Sequence, residues 1–260
     1  MVVADLHVHT TNSDGALEPD AVPKVAAMAG VSVVAITDHD RLVPFLNAPV
    51  KEIGGVTVIH GIELRVERNG QQIDLLGYGV RPTEALCAEI DRLQENRIER
   101  ANEIVERIER RTGVTLDIEL QPGVGRPHIA RAIEQSAIDC DYHAAFDRLI
   151  GDDCPCFVPR RVPSFERGHT LLKDACGLVS LAHPLRYDDQ DRALSLAAAL
   201  DGVEYHYDYG RDVDLQPVER TIRENDLVVT GGSDAHDRTL GRAGLSEAEY
   251  HRFRTRCRRD

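Results

Sequence analysis

The chain has 260 residues, with 31 Lys and Arg against 44 Asp and Glu, giving a formal net charge of −13. That length suits one large domain, or one domain with an insertion, and it can bury a sizeable core without disulfide or metal staples. An apolar fraction of 42% and a charged fraction of 29% mark a globular rather than a disordered chain. The acidic balance excludes a broad cationic face for coating duplex nucleic acid and leaves room for a local basic pocket holding one or a few phosphates.

Only Lys24, Lys51 and Lys173 are lysines, against 28 arginines. An acidic, lysine-poor surface suits concentrated salt, where the screening length falls to about 3 Å, so a halophile is one expectation. Arginine-rich codon bias in a GC-rich genome is the other. None of the six cysteines forms a CxxC pair, and Cys154-Pro155-Cys156 is poor zinc-finger spacing. The sequence opens on Met1-Val2-Val3-Ala4-Asp5 without a signal-peptide pattern, and no apolar stretch approaches 18 residues. The expectation is a cytoplasmic protein with free thiols and no membrane partner.

In chain order, 2–9 reads as a strand, 17–29 as a helix and 31–37 as a buried strand. Residues 56–64 read as another strand, with a hairpin at Arg68-Asn69-Gly70 leading into 72–80. Thr83 is a plausible N-cap for a long amphipathic helix that ends near Thr112-Gly113. Its apolar positions include Leu86, Ile90, Leu93, Ile104 and Ile108, spaced by threes and fours. Shorter helical patterns follow at 129–135 and 142–149. Strands resume at 177–182, 202–206 and 227–231, with a helix near 214–224 and a terminal helix over 247–260. Strands alternating with helices indicate a parallel α/β domain. Residues 83–161 are expected to be a helical insertion between the two parts, 1–82 and 162–260, of that domain.

The first strand carries Asp5, His7 and His9, which period-two alternation places on one face. A lone histidine on a strand is usually a satisfied core or surface residue, whereas a His-x-His pair ending an apolar strand is a candidate divalent-metal site. Asp14 lies in the following loop. Thr37-Asp38-His39-Asp40, Glu63, His183 before Pro184, and Gly232-Ser233-Asp234-Ala235-His236 each end a strand. Active sites of α/β barrels and open sheets gather at that edge. Scattered polar loop residues would need five strand ends to agree by chance. A carboxylate and imidazole set of this size fits two or three closely spaced divalent metals rather than one structural zinc.

These motifs, together with Ser13-Asp14-Gly15, Gly61-Ile62-Glu63 and Ala182-His183-Pro184, resemble the PHP family of metal-dependent phosphoesterases, named for polymerase and histidinol phosphatase. The resemblance implies a distorted (β/α)7 barrel with two or three divalent ions, drawn from Mn, Fe, Mg or Zn. It implies that His7, His9, Glu63 and Asp234 hold one metal. Glu63 would bridge to a second metal that also uses His183, and Asp14, His39 and His236 would hold a third. Asp5 and Asp38 would orient imidazoles. One position departs: where the resembling subgroup usually has His before Leu-Gly-Tyr, this chain has Asp74. Asp74 is expected to point into the site and bind the second metal, with harder ions preferred. The alternative is an exposed Asp beside a two-metal site.

The insertion contains Gly125-Arg126-Pro127-His128-Ile129-Ala130-Arg131 and Phe157-Val158-Pro159-Arg160-Arg161. These resemble the PHP branch of nucleoside 3′,5′-bisphosphate phosphatases and 5′–3′ RNases acting on short RNAs. A turn, a Pro at the first helical position and donors at a helix N-terminus make a reasonable phosphate grip, and an arginine fork binds phosphate bidentately. Arg126, His128 and Arg160 are therefore candidate substrate contacts. In an arginine-rich chain, Arg126 and Arg160 also read as solvated surface. His206, at a strand end, is a further candidate contact. His60 reads as core, and His143, His169 and His251 as surface. The expected activity is hydrolysis of a nucleotide phosphomonoester or of the 5′ end of short RNA. A histidinol-phosphate phosphatase and a non-catalytic metal-binding PHP domain are the alternatives.

Overall fold

The computed structural model describes residues 1–257. Its strands are β1 (Ala4–Val8), β2 (Val33–Ile36), β3 (Val50–Ile53), β4 (Val56–Arg68), β5 (Gln71–Tyr78), β6 (Leu178–Leu181), β7 (Gly202–Tyr207) and β8 (Val228–Gly232). Seven of them follow the order β1-β2-β4-β5-β6-β7-β8, with β3 hydrogen-bonded to the flank of β4. The β1-β2-β4 and β6-β7-β8 runs are parallel, and β5 is antiparallel to both of its neighbours. The path nearly closes into a barrel where Val8 bridges Ala235 just past β8, and the His9 N–H donates to the Ala235 carbonyl at 3.1 Å. Gly232 permits this approach. A Cβ there would stand 2.3 Å from the His7 nitrogen, so only glycine fits where β8 passes β1.

The chain divides into two compact units, Met1–Cys87 with Val162–Asp260, and Ala88–Arg161. In the first, helices α1 (Val22–Met28), α5 (Phe165–Ala175), α6 (Gln190–Ala197), α7 (Gln216–Asn225) and α8 (Glu247–Arg256) accompany the strands. Val22 and Ala26 of α1 join Val8, Val34, Ile36 and Val58 in one apolar cluster. Ala4, Leu6, Ala35, Ile59, Leu76, Tyr78 and Phe253 form another. In the second unit, most of the long helix α2 (Glu84–Thr112) is accompanied by α3 (Arg126–Glu134) and α4 (Tyr142–Ala145), which runs on into a π-helical turn over Phe146–Ile150. Ile104, Ile108, Ile129, Ile133 and Ile150 are fully or almost fully buried there and give this unit its own core.

The hairpin forms at the expected place. Asn69 and Gly70 adopt φ of 53° and 81°, the double left-handed turn that a two-residue hairpin loop demands. The Thr83 hydroxyl accepts from the Leu86 N–H at 3.2 Å, as an N-cap should. Several boundaries differ. The strand expected to end at Leu64 continues to Arg68, because β4 changes partner from β2 to β5 at Gly61 and the hairpin prolongs it. The helix expected from Leu17 begins only at Val22, next to Pro23. β3, α5 and α6 are additional to the elements the sequence pattern signals. The terminal helix is seen over Glu247–Arg256, and positions 258–260 of that expectation lie outside the described residues.

Candidate metal centre

A bulge in β1 builds the centre. Asp5 pairs with Val34 and Val8 with Ile36, so the β1–β2 register slips between them. Simple alternation would keep Asp5, His7 and His9 on one face. Instead, Ala4 and Leu6 belong to one apolar cluster and Val8 to the other. Bulges re-aim side chains in this way beside active sites. The result brings His7 Nε2 and His9 Nε2 to 3.1 Å from each other.

Two carboxylates close on these nitrogens. Glu63 oxygens lie 3.5 Å from His7 Nε2 and 3.3 Å from His9 Nε2. Asp234 Oδ1 lies 3.4 Å and 3.0 Å from the same two atoms. Ligand atoms about 2.1 Å from a shared cation stand roughly 3.0–3.4 Å apart in octahedral or tetrahedral arrangement, so this spacing fits a metal at their centre. His9, Asp14, His39 and His236 form a second group whose ligating atoms all lie within 4.8 Å of one another; Glu63, Asp74 and His183 form another, as do His7, His183 and Asp234. Asp14 Oδ1 is buried without a hydrogen bond among the described residues. Lone pairs on such atoms are what a bound cation satisfies.

The electrostatics agree. Burial opposes a charged imidazolium at His7, yet Glu204, Asp234 and Glu63 raise its pKa well above the usual histidine value. Burial likewise opposes charge on Asp14, but the neighbouring His39 and His236 hold its carboxyl well below the ordinary range. Asp234 is held well below it by His7 and His9, against its own burial. Glu63 is likewise held well below its ordinary range by His39 and His7 despite its burial, so three carboxylates, Asp14, Glu63 and Asp234, remain ionised in a buried pocket, an environment made for cations. Backbone strain gathers at the same edge: Asp40, His183 and Asp234 have φ of 50°, 26° and 47°, a left-handed region that costs non-glycine residues energy and clusters at functional sites.

Every expected metal ligand therefore lies in one of these groups. Asp74 is fully buried rather than exposed; both of its oxygens bond the guanidinium of Arg65, at 2.7 and 2.6 Å. The orienting roles expected of Asp5 and Asp38 are not what these residues do. Asp5 accepts from the Ser233 backbone and hydroxyl and from the Gly241 N–H, and touches His7 only at its backbone N–H, 3.4 Å away. Asp38 accepts from Thr10, Asn12 and Ser13, tying down the loop that carries Asp14. The residue that orients an imidazole is Glu204 on β7. It lies 3.0 Å from His7 Nδ1 and accepts from the His183 backbone N–H at 2.7 Å. A carboxylate can only accept, so His7 keeps a proton on Nδ1, and Nε2 is the nitrogen that would give up its proton and meet a bound cation. An acidic residue inside the apolar run at 202–206 was the available signal. His206 turns to Glu249 of α8 at 2.8 Å, because β7 has its own register slip between Glu204 and His206.

Sequence reasoning also passed over Arg186 and Tyr207. Arg186 donates to Asp234 Oδ2 at 3.1 Å and to the Tyr207 hydroxyl at 2.9 Å, and that hydroxyl donates to the same Asp234 oxygen. In the second unit, His128 Nδ1 accepts from the Gly125 N–H at 3.2 Å, closing the start of α3. Arg126 donates to Asp152 at 2.8 Å and to the Ile150 carbonyl, and lies over Phe146 and Phe157. Arg160 is half-buried.

Comparison with known proteins bears on this arrangement directly. The PHP domain family matches residues 5–193. The chain is a member of the PHP family. It is 30% identical over 247 residues to a 5′-3′ exoribonuclease of Haemophilus influenzae, covering 89% of each chain. It is 29% identical over 196 residues to the 3′,5′-nucleoside bisphosphate phosphatase of Chromobacterium violaceum, covering 72% of this chain and 69% of that one. A phosphoribosyl 1,2-cyclic phosphate 1,2-diphosphodiesterase of Eggerthella lenta is 29% identical, covering 90% and 94%. Among solved structures, a C. violaceum protein described as an amidohydrolase with bound sulfate superposes with a TM-score of 0.78 at 24% identity, covering 98% and 96%. These likenesses establish the fold of this PHP-family chain as the distorted seven-stranded barrel.

Proposed function

We propose that this PHP-family chain is a metal-dependent phosphoesterase that hydrolyses a nucleotide phosphomonoester, such as that of a nucleoside 3′,5′-bisphosphate, or acts at the 5′ end of short RNA. The observation that carries this reading is the convergence of His7, His9, Glu63 and Asp234 at the spacing of a shared cation, in a chain 30% identical along most of its length to an exoribonuclease. His7, His9, Glu63 and Asp234 would hold one divalent ion, and Asp14, His39 and His236 a second. Such ions, when bound, supply Lewis-acid charge to phosphoryl oxygens and acidify water at neutral pH.

The chain's own residues do the rest. Glu204 fixes the His7 tautomer. Arg186 and Tyr207 hold Asp234 by its outer oxygen and leave Oδ1 for the imidazoles. His39 and His236 are partly exposed, at 18% and 38%, and give that group its opening to solvent and substrate. Arg126, His128 and Arg160 are the insertion's phosphate contacts in this reading, since arginine forks and a helix N-terminus suit phosphate. The substrate is small and phosphorylated. No described helix is long and apolar enough to cross a membrane.

The test is product analysis with Mn²⁺, reading inorganic phosphate from nucleoside 3′,5′-bisphosphates, mononucleotides and histidinol phosphate, released mononucleotide from short 5′-phosphorylated RNA, and the ring-opened phosphomonoester from phosphoribosyl 1,2-cyclic phosphate. Turnover of a bisphosphate, a mononucleotide or the RNA, abolished by chelation and restored by metal, is expected. Turnover that survives complete demetallation refutes the reading. Arg126→Ala should lower kcat/KM about tenfold or more, the value of a charge-assisted contact.

A further inference from the structure

Arg65 stands on β4 two residues after Glu63, so the two share a face. Asp74 is its directly opposed partner on β5. The Arg65 guanidinium grips Asp74 through Nε to Oδ1 at 2.7 Å and through a terminal nitrogen to Oδ2 at 2.6 Å. The Tyr187 hydroxyl accepts from the Asp74 N–H at 2.9 Å and donates to the Ala182 carbonyl, fixing the strand beneath the pair. The same Asp74 Oδ2 lies 3.7 Å from His183 Nε2, so a single oxygen atom separates the guanidinium from the metal-binding imidazoles.

Asp234 and Asp74 offer a direct contrast. Asp234 gives one oxygen to Arg186 and Tyr207 and keeps the other, Oδ1, 3.0 Å from His9 Nε2. Asp74 gives both oxygens to one guanidinium, and its nearest approach to His183 is wider than the 3.0–3.5 Å spacings around His7 and His9. A carboxylate paired in this way contributes no net negative charge. The corner of Glu63, His183 and Asp74 then has one uncompensated carboxylate, which it shares with the first metal group. A further dication there would also face a fixed positive charge at short range.

We infer that Arg65, held by Asp74, replaces a third metal ion: the chain binds two divalent cations, and the Arg65 guanidinium binds an oxygen of the phosphoryl group on the Glu63–His183 side. A guanidinium has five N–H donors, and Asp74 uses two. The other three meet no protein acceptor among the described residues, and the side chain is 30% exposed. They are available as a planar fork suited to phosphate. Because Asp74 spans both hydrogen bonds, the charge is placed in advance of substrate and does not depend on metal supply.

The inference rests on the phosphoesterase reading, but its test does not require turnover. Mn²⁺-loaded, desalted protein is assayed for metal content by mass spectrometry and for inorganic phosphate binding by calorimetry. Wild type should carry two equivalents per chain. The double variant Arg65→Ala/Asp74→Ala, which leaves no lone buried charge, should keep two equivalents and bind phosphate about tenfold or more weakly. Arg65→Lys should recover part of that loss. Arg65→Ala alone frees the Asp74 carboxylate and should raise metal content above two. Three equivalents in wild type, falling to two in Asp74→Ala, would overturn the inference without recourse to the double variant. So would unchanged phosphate affinity in a folded double variant. A protein that shows two metals and Arg65-dependent phosphate binding but hydrolyses nothing would fail the proposed activity and leave this inference standing.

Discussion

Removing the Glu204 carboxylate should weaken metal binding without touching any metal ligand. Glu204 is fully buried and serves two partners, His7 Nδ1 at 3.0 Å and the His183 N–H at 2.7 Å. Of the carboxylates that raise the His7 pKa against burial, it contributes most. Glu204→Ala frees the His7 ring and its tautomer, and loss of such an orienting partner costs about 10–100-fold in metal affinity, or roughly 1.4–2.7 kcal/mol. It also strands the His183 N–H, a buried donor whose lost acceptor costs about 1–3 kcal/mol of stability. Glu204→Gln keeps one acceptor oxygen of nearly the same shape, so affinity should fall in the order wild type, Gln, Ala. The assay is Mn²⁺ competition against a fluorescent chelator, with thermal unfolding of the metal-free proteins measured in parallel. If Glu204→Ala loses stability but binds Mn²⁺ as tightly as wild type, Glu204 is a strut for β7 and the orienting argument fails.

Other consequences are testable in the same preparations. Burial lowers the His60 pKa to about 4, and its Nε2 accepts from the Val43 N–H. The stability that follows is complete above the unfolded value near 6.5 and is lost as pH falls from there to about 4, a difference of about 3 kcal/mol at the conversion of 1.36 kcal/mol per unit; urea unfolding of His60→Gln should lack that portion of the acid sensitivity, and an identical pH profile would refute it. Ser246 and Glu249 cap α8 reciprocally, so Ser246→Ala should cost about 1 kcal/mol in denaturant unfolding, and an unchanged midpoint would show that the helix end is held otherwise. With a net charge of −13, the unfolding midpoint should rise between ~0.1 M and ~2 M KCl as self-repulsion is screened; no rise would favour codon bias as the source of the composition.

Most of the residues that converge on the candidate metal centre were legible in the sequence because they sit in short motifs at or just past strand ends, where residue type and position both point to chemistry. Their partners were not. Glu204, Arg186 and Tyr207 act through contacts with residues far off in the chain, and no local spacing announces them. The β1 bulge was hidden for a different reason. Alternation is a rule for regular strands, and inserting one residue reverses the facing of everything beyond it. Asp5 is the clearest consequence: it carries the right chemistry for a ligand-orienting role, and the slip sends it to the Ser233 and Gly241 backbone instead.

The change of direction at β5 explains why the site has an arginine where a parallel strand would have supplied another loop. Along β1, β2, β6, β7 and β8 each strand ends at the metal edge and gives way to a loop or turn, and His39, His183 and Asp234 come from those segments. β4 does not stop there. It continues to Arg68 and returns through the hairpin as β5, so this side of the pocket is walled by paired backbone rather than by a loop. Side chains on such a wall are confined to the cross-strand lattice, where the natural unit is a directly opposed pair. A buried opposed pair must be neutral overall or be compensated by a ligand. Arg65 and Asp74 satisfy that requirement internally. Their geometry follows from strand pairing, and with it the position of a permanent cation beside Glu63.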